Sequence, residues 1–162
     1  MGRIVDDKTL ALLVSKAKEQ GKTVVFTNGA FDVLHVGHIR YLQGAAELGD
    51  LVVCALNSDE SVRKLKGDPR PILPLDDRME IIAALESVDL VTSFDETDVG
   101  RLLLELKPDI HAKGTDYTED SVPEVDVVRS YGGKVAITGD PKDHNTSEII
   151  GTIKGLKKEI DA

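Results

Sequence analysis

Short apolar, β-branched runs alternate along the chain with longer stretches in which apolar residues return every three or four positions. Val24-Val25-Phe26-Thr27, Leu51 to Leu56, Leu90 to Phe94, Ile110 to Lys113 and Val135 to Thr138 have the length and composition of strands. These runs are continuous rather than alternating, as in strands covered on both faces, and so predict a parallel sheet. Helical periodicity covers Asp7–Gln20, His38–Leu48, Leu75–Leu85, Val99–Leu106 and Glu124–Tyr131; a short helix follows the second strand, and a closing helix starts near Thr146. The alternation predicts one α/β domain over residues 1–162, a doubly wound, mainly parallel five-stranded sheet with helices on both faces. The stretch Lys66-Gly-Asp-Pro-Arg-Pro-Ile-Leu-Pro74 reads as a long extended loop rather than a domain boundary. Such sheets bind ligands beyond the carboxyl ends of their strands, which directs attention to the residues there.

Charge narrows the partners. With 20 basic and 29 acidic side chains, the net charge is −9 and the isoelectric point about 4.9. That balance argues against coating a nucleic acid or a membrane, because counterion release needs a basic face. Small molecules are the expected partners, with a homodimer as a further candidate. Three Phe, three Tyr and no Trp leave few stacking platforms. The single Cys54, in the apolar run Leu51–Leu56, excludes an internal disulfide and a cysteine zinc site and reads as a core thiol. No apolar run approaches the roughly 18 residues of a membrane span, and no signal pattern opens the chain, so a reducing, cytoplasmic setting is the default expectation.

The first strand runs into Thr27-Asn28-Gly29-Ala30-Phe31-Asp32-Val33-Leu34-His35-Val36-Gly37-His38 and then a helix. Two histidines three apart on a starting helical turn point the same way. Gly37 between them lets a phosphate approach the backbone where free N–H groups and the dipole favour anions. Two imidazole donors over such a turn suit charge on a transferring phosphorus. Capping, or half of a metal site, is the alternative reading of the pair; no third His or Cys lies nearby, and no metal site is expected.

Phe31-Asp-Val-Leu-His-Val-Gly-His38 resembles the signature of the HxGH nucleotidyltransferases, the cytidylyltransferase-like superfamily. The match continues through Leu48-Gly-Asp50, Asn57-Ser-Asp-Glu-Ser-Val-Arg-Lys-Leu-Lys-Gly67, Arg70-Pro71, Arg78-Met79, Ala83 to Asp89 and Lys113-Gly-Thr-Asp-Tyr117. This ordered series is similar to the adenylyltransferases of D-glycero-β-D-manno-heptose 1-phosphate, over roughly Val24 to Ile153. The resemblance implies a Rossmann-like nucleotidyltransferase fold and transfer of AMP from ATP, carried with Mg²⁺, to a sugar 1-phosphate, releasing pyrophosphate and giving ADP-heptose for lipopolysaccharide core synthesis. His35 and His38 would hold the phosphates, and a lysine at the Lys66 position would face the triphosphate. The segment Thr27–Phe31 would meet the nucleotide, and Asn57 belongs to the same series as a substrate contact.

Other candidates keep two readings. Lys64 and Lys66 aim to one side if their stretch is extended, toward phosphates, or else form a solvated basic face. Arg78, beside Asp76 and Asp77, is either a salt-bridge participant or a phosphate or loop-ordering group, and Arg70 in the proline loop is a further phosphate candidate. After the fourth strand, Gly114 permits a tight exit and Asp116 could accept from a ribose or sugar hydroxyl or an adenine amino group, with Lys113 beside them; ordinary turn work is the alternative. Asn145 with Glu148 three residues on is a capping-box arrangement, and Thr146 and Ser147 with unpaired N–H groups form a second anion site. Two departures from the heptose series stand out. Gly114-Thr115 replaces a double glycine, and His111 replaces an aliphatic strand residue. Lys142 and His144 stand where cytidylyltransferases carry an arginine. The competing expectations are a cytidylyltransferase for glycerol 3-phosphate or another phospho-alcohol, and a nucleotide-binding regulatory module without turnover.

Overall fold

The computed structural model describes residues 1–141 and 145–160, the side chain of Glu159 apart. Six parallel strands form the sheet: β1 (Arg3–Ile4), β2 (Val24–Gly29), β3 (Leu51–Asn57), β4 (Leu90–Phe94), β5 (Ile110–Gly114) and β6 (Lys134–Thr138), in the order β1-β4-β3-β2-β5-β6. The helices are α1 (Asp7–Glu19), α2 (Val36–Ala46), α3 (Asp59–Lys66), α4 (Leu75–Ala83), α5 (Gly100–Leu106), α6 (Val125–Ser130) and α7 (Thr146–Ile160). The five expected strands are present, and the sixth is a correction. β1 is two exposed residues held at the sheet edge by Arg3 N–H to Asp89 O at 2.8 Å and Val5 N–H to Val91 O at 2.9 Å. A piece that short leaves no periodicity to read.

Strand alternation sends side chains into two apolar layers. Val24, Phe26, Val53 and Ala55 meet Leu10, Val14, Leu102, Leu103 and Val128 from α1, α5 and α6. Val25, Val52, Cys54 and Leu56 meet Leu42, Ala45, Ile82 and Ala83 from α2 and α4. Each such Val, Leu or Phe contributes about 1.5–3 kcal/mol by leaving water. The Cys54 thiol belongs to the second layer; burial pushes its pKa up to about 12, which leaves it inert. Local signals set the helix starts: Asp6 accepts from Thr9 N–H at 2.7 Å ahead of α1, and Ser58 Oγ accepts from Ser61 N–H at 3.3 Å ahead of α3.

Chain order reverses at β2. From β2 the chain builds outward through β3 and β4, then crosses back to place β5 on the other side, so that Val25 faces both Val52 and Ile110. The crevice between the carboxyl ends of β2 and β5 is the topological switch point, where open α/β sheets bind ligands.

Candidate active site

A cavity of about 690 Å³ opens at that switch point. Its floor is Asn28 to Asp32 at and after the end of β2 and Lys113 to Tyr117 at and after the end of β5. One wall is His35, Gly37, His38, Arg40 and Tyr41 from α2, another Thr138 to Pro141 after β6. Lys66 and Arg70 close one side and Asn145, Thr146 and Ser147, at the start of α7, the other.

The two histidines are arranged by the helix they open. His35 is the N-cap of α2, so the helix begins two residues earlier than its periodicity predicts. Its Nδ1 accepts from Gly37 N–H at 3.2 Å, while the His35 N–H donates to His38 Nδ1 at 3.2 Å. Capping thus consumes Nδ1 of both rings and leaves any ring proton on Nε2, which makes each imidazole a donor. The rings lie 3.9 Å apart between centroids at 34°, with Phe31 supporting His38 from behind at 5.5 Å. Burial, with His35 and Lys66 close by, brings the His38 pKa down to about 4, against a weaker opposing pull from Asp32. His38 is therefore neutral near pH 7, and the capping and phosphate readings of the pair are compatible.

The connection from β2 to α2 carries two non-glycine residues at positive φ, Phe31 at 48° and Val33 at 53°. Such conformations cost of order 1–3 kcal/mol each and persist where surroundings over-determine them. Asp32 supplies that constraint. Its side chain is fully buried and accepts from Leu73 N–H at 2.9 Å, Ile72 N–H at 2.8 Å and Arg70 Nε at 2.7 Å. Burial pushes its carboxyl up, but these donors outweigh it and hold the group below its ordinary value. The turn is thereby stapled to the proline loop. Arg70 keeps Nη2 buried with no hydrogen-bond partner among the described residues, beside the cavity.

Several expected residues fall elsewhere. Arg78 is fully buried and donates to Ala30 O at 2.5 Å, Asn57 O at 2.9 Å, Leu73 O at 3.0 Å and Asp59 Oδ1 at 2.7 Å; it orders loops and does not line the cavity. Thr27 is buried with its hydroxyl on Val53 O at 3.0 Å, and Asn57 Nδ2 donates to Ser61 Oγ at 2.9 Å; neither lines the cavity. Lys64 and Lys66 stand on α3 rather than on an extended segment, so their spacing turns them apart. Lys66 reaches the cavity, whereas Lys64 pairs with Glu60 at 2.7 Å on the exposed face. Asn145 caps α7, accepting from Glu148 N–H at 2.8 Å, and Thr146 Oγ1 donates to Asp32 O at 3.0 Å. Lys142, Asp143 and His144 lie outside the described residues.

Lys113 is largely buried. Its Nζ donates to Asn28 Oδ1 at 3.2 Å, stands 4.0 Å from Glu124 Oε2 and lies 5.2 Å over the Tyr117 ring; burial lowers its pKa, with Glu124 opposing. A Cβ at Gly114 would meet nothing within 4 Å, so the floor is open there. Asp32, Tyr41 and Glu124 were not singled out by sequence reasoning. Tyr41 ties α2 to the sheet by donating to Ala112 O at 2.7 Å and accepting Thr138 Oγ1 on its carbonyl at 3.0 Å. An acidic residue inside the otherwise apolar Phe31-Asp-Val-Leu34 was the one available signal for Asp32. Among the described residues no three His, Cys, Asp or Glu side chains cluster as a metal site, and no helix is long and apolar enough to cross a membrane.

A parallel sheet that brings a paired imidazole, a helix N-terminus, two lysines and two arginines to its switch point defines an α/β domain whose site chemistry suits phosphate-bearing ligands. The chain belongs to the Cytidylyltransferase-like family, whose model matches residues 26–152. It is 47% identical over 148 residues to the Bifunctional protein HldE of Pelobacter propionicus, covering 91% of this chain and 30% of that protein. With the Bifunctional protein HldE of Geobacter sulfurreducens the identity is 48% over 144 residues, covering 89% and 29%. The chain thus spans about three-tenths of the length of these curated relatives. Among solved structures, the lipopolysaccharide core biosynthesis protein from Thermoplasma volcanium is similar with TM-score 0.62 at 32% identity, covering 72% of this chain and 94% of that one. Pantothenate synthetase from Thermus thermophilus, at 19% identity and TM-score 0.62 over 88% and 63% of the two chains, shares the fold.

Proposed function

We infer that this protein transfers AMP from ATP, supplied with Mg²⁺, to a sugar 1-phosphate, D-glycero-β-D-manno-heptose 1-phosphate, giving ADP-heptose and pyrophosphate. The observation that carries this reading is the pair of Nε2 donors of His35 and His38 over the α2 N-terminus. It is supported by Lys66 and Arg70 on the same cavity and by the likeness to proteins named HldE and to a lipopolysaccharide core biosynthesis protein.

An oxygen of the sugar phosphate, already an anion, attacks the α-phosphorus; that P–O bond forms as the bond to the β-phosphate breaks, and pyrophosphate carries away the electron pair. No general base is needed. Catalysis is positioning and neutralisation of spreading charge. His38, held neutral, donates without having to lose a proton, and His35 presents its own Nε2 beside it. Lys66 and Arg70 supply positive charge at the leaving phosphates, while the Ser147 hydroxyl, the Asn145 amide and the N–H groups opening α7 lie across the cavity, the Thr146 hydroxyl being committed to Asp32 O. Mg²⁺ travels with the nucleotide as part of the substrate. The setting in this reading is cytoplasmic, where ATP is available.

Pyrophosphate release across an array of nucleoside triphosphates and phosphorylated acceptors tests the reading. ATP with the heptose 1-phosphate is expected to give rapid release. Release with CTP and a phospho-alcohol alone would replace it by a cytidylyltransferase, and tight nucleotide binding with no release would replace it by a regulatory module.

A further inference from the structure

His111 lies on β5 beneath the cavity and does not line it. The residue is fully buried, edge-on to Phe26 with centroids 5.7 Å apart, and its Nε2 stands 3.1 Å from Asn28 Oδ1. Lys113 Nζ meets the same oxygen at 3.2 Å. The ring's other nitrogen, Nδ1, is buried with no hydrogen-bond partner among the described residues.

These contacts determine one another in a fixed order. An ammonium can only donate, so the Asn28 atom facing Lys113 is the amide oxygen. An oxygen facing His111 in turn requires an N–H there, so the ring proton is on Nε2 and the unpartnered Nδ1 is a bare lone pair rather than a stranded donor. A second proton is resisted by burial and by the neighbouring Lys113 charge, which bring the ring's pKa down to about 3. The Asn28 oxygen therefore takes two donors, one neutral and one charged. An amide is planar, so its amino group lies at the opposite end from that double contact, and Asn28 lines the cavity. Lys113 alone would hold the oxygen loosely, since its ammonium is shared with Glu124 at 4.0 Å and the Tyr117 ring.

We propose that His111 is a positioning residue of the nucleotide site: from below the floor it locks the Asn28 amide so that the amino group faces the bound nucleotide and donates to one of its oxygens. This rests on the reading of the cavity as a nucleotide site, though not on turnover.

Calorimetric binding of ATP and of CTP without acceptor, alongside steady-state kinetics, tests it in three variants. His111→Leu is expected to weaken nucleotide binding and raise nucleotide KM about tenfold, the factor carried by one net hydrogen bond, while kcat and acceptor KM stay within about twofold. His111→Gln, which keeps an N–H for the Asn28 oxygen, recovers most of the loss. Asn28→Asp still accepts from both donors but presents an anionic oxygen to the nucleotide, and weakens binding at least as much as His111→Leu. In the unmodified protein, ¹⁵N NMR is expected to show the His111 ring protonated on Nε2 alone.

Unchanged binding in His111→Leu would overturn the proposal. So would a ring protonated on Nδ1, or equal losses in His111→Gln and His111→Leu when His111→Gln keeps the parental Tm. Should His111→Leu not fold, the other two variants and the ring tautomer still decide. Nucleotide binding with this variant pattern but no transfer to any acceptor would remove the transferase reading and leave His111 as assigned. Transfer in His111→Leu with nucleotide KM and affinity unchanged would do the reverse.

Discussion

Arg70 Nε lies 2.7 Å from Asp32 Oδ2, so a residue of the proline-rich loop is paired with the buried carboxylate that holds the turn before α2. This contact joins two segments that each line the cavity. The order of damage on breaking it follows from what is left behind. Asp32→Ala strands the Ile72 and Leu73 N–H groups and an arginine, and is expected to cost about 3–5 kcal/mol. Arg70→Ala leaves the carboxylate with two backbone donors and costs less. Urea denaturation of the two variants checks the order; a larger loss in Arg70→Ala would show that the carboxylate is not the anchor.

His38→Ala is expected to lower pyrophosphate release roughly 10²–10³-fold, the usual effect of losing one donor to transition-state charge. Nucleotide affinity falls much less. Turnover at the parental rate would take the imidazole pair out of the mechanism.

Lys64 and Lys66 separate two kinds of cation on one helix. Lys64→Ala removes an exposed i,i+4 pair with Glu60 and should change stability by less than about 1 kcal/mol, with nucleotide KM untouched. Lys66→Ala should raise nucleotide KM about tenfold or more. Equal kinetic effects in both would contradict the helical geometry of α3.

Arg78 gives the sharpest structural test. Arg78→Met leaves the carbonyls of Ala30, Asn57 and Leu73 and the Asp59 carboxylate without their donor, an expected loss of about 3–5 kcal/mol. Arg78→Lys does not rescue it, because one ammonium cannot span the same four oxygens. Chemical denaturation reads both; a stable Arg78→Lys would show that charge alone suffices.

Stability should fall in mild acid. Burial is the main cause that holds His38 and His111 neutral in the fold, so each binds fewer protons folded than unfolded. Their contribution is full above the ordinary imidazole value of 6.5 and is lost as pH drops from there toward about 4 for His38 and about 3 for His111. The slope is about 1.4 kcal/mol per pH unit for each ring. Denaturation midpoints between pH 7.5 and 5 measure it, and His38→Gln should flatten the profile. A variant that keeps the parental slope would assign the acid sensitivity to other groups.

The five long strands and most helices were legible because continuous apolar runs and helical periods report burial directly. β1 was not, since Arg3 and Ile4 are exposed and paired only through backbone. The His35–His38 pair was legible through the chemistry of a motif that stays local in sequence, whereas Lys66 was favoured over Lys64 only by the resemblance, its stretch having read as extended rather than helical. Arg78 was legible as a loop-ordering or salt-bridge group but its burial was not, because an arginine near two aspartates reads as surface while its burial depends on carbonyls brought from three separate segments. His111 was visible only as an odd residue in a strand. Its partner Asn28 is 83 positions away, and nothing local in either stretch announces a contact that exists only across two paired strands.

The placement of β2 has a consequence for how this protein comes off the ribosome. One flank of β2 is β3, which follows at once, but the other is β5, delivered only after β4 and α5 have been made. Until then β2 carries an open edge of unpaired backbone groups, a template for mispairing with another chain. The Asn28 amide has neither of its donors at that stage. Arrival of β5 seals the edge and sets the amide in one event, so a partly synthesised chain is most prone to aggregate during the interval in which nucleotide cannot yet protect it.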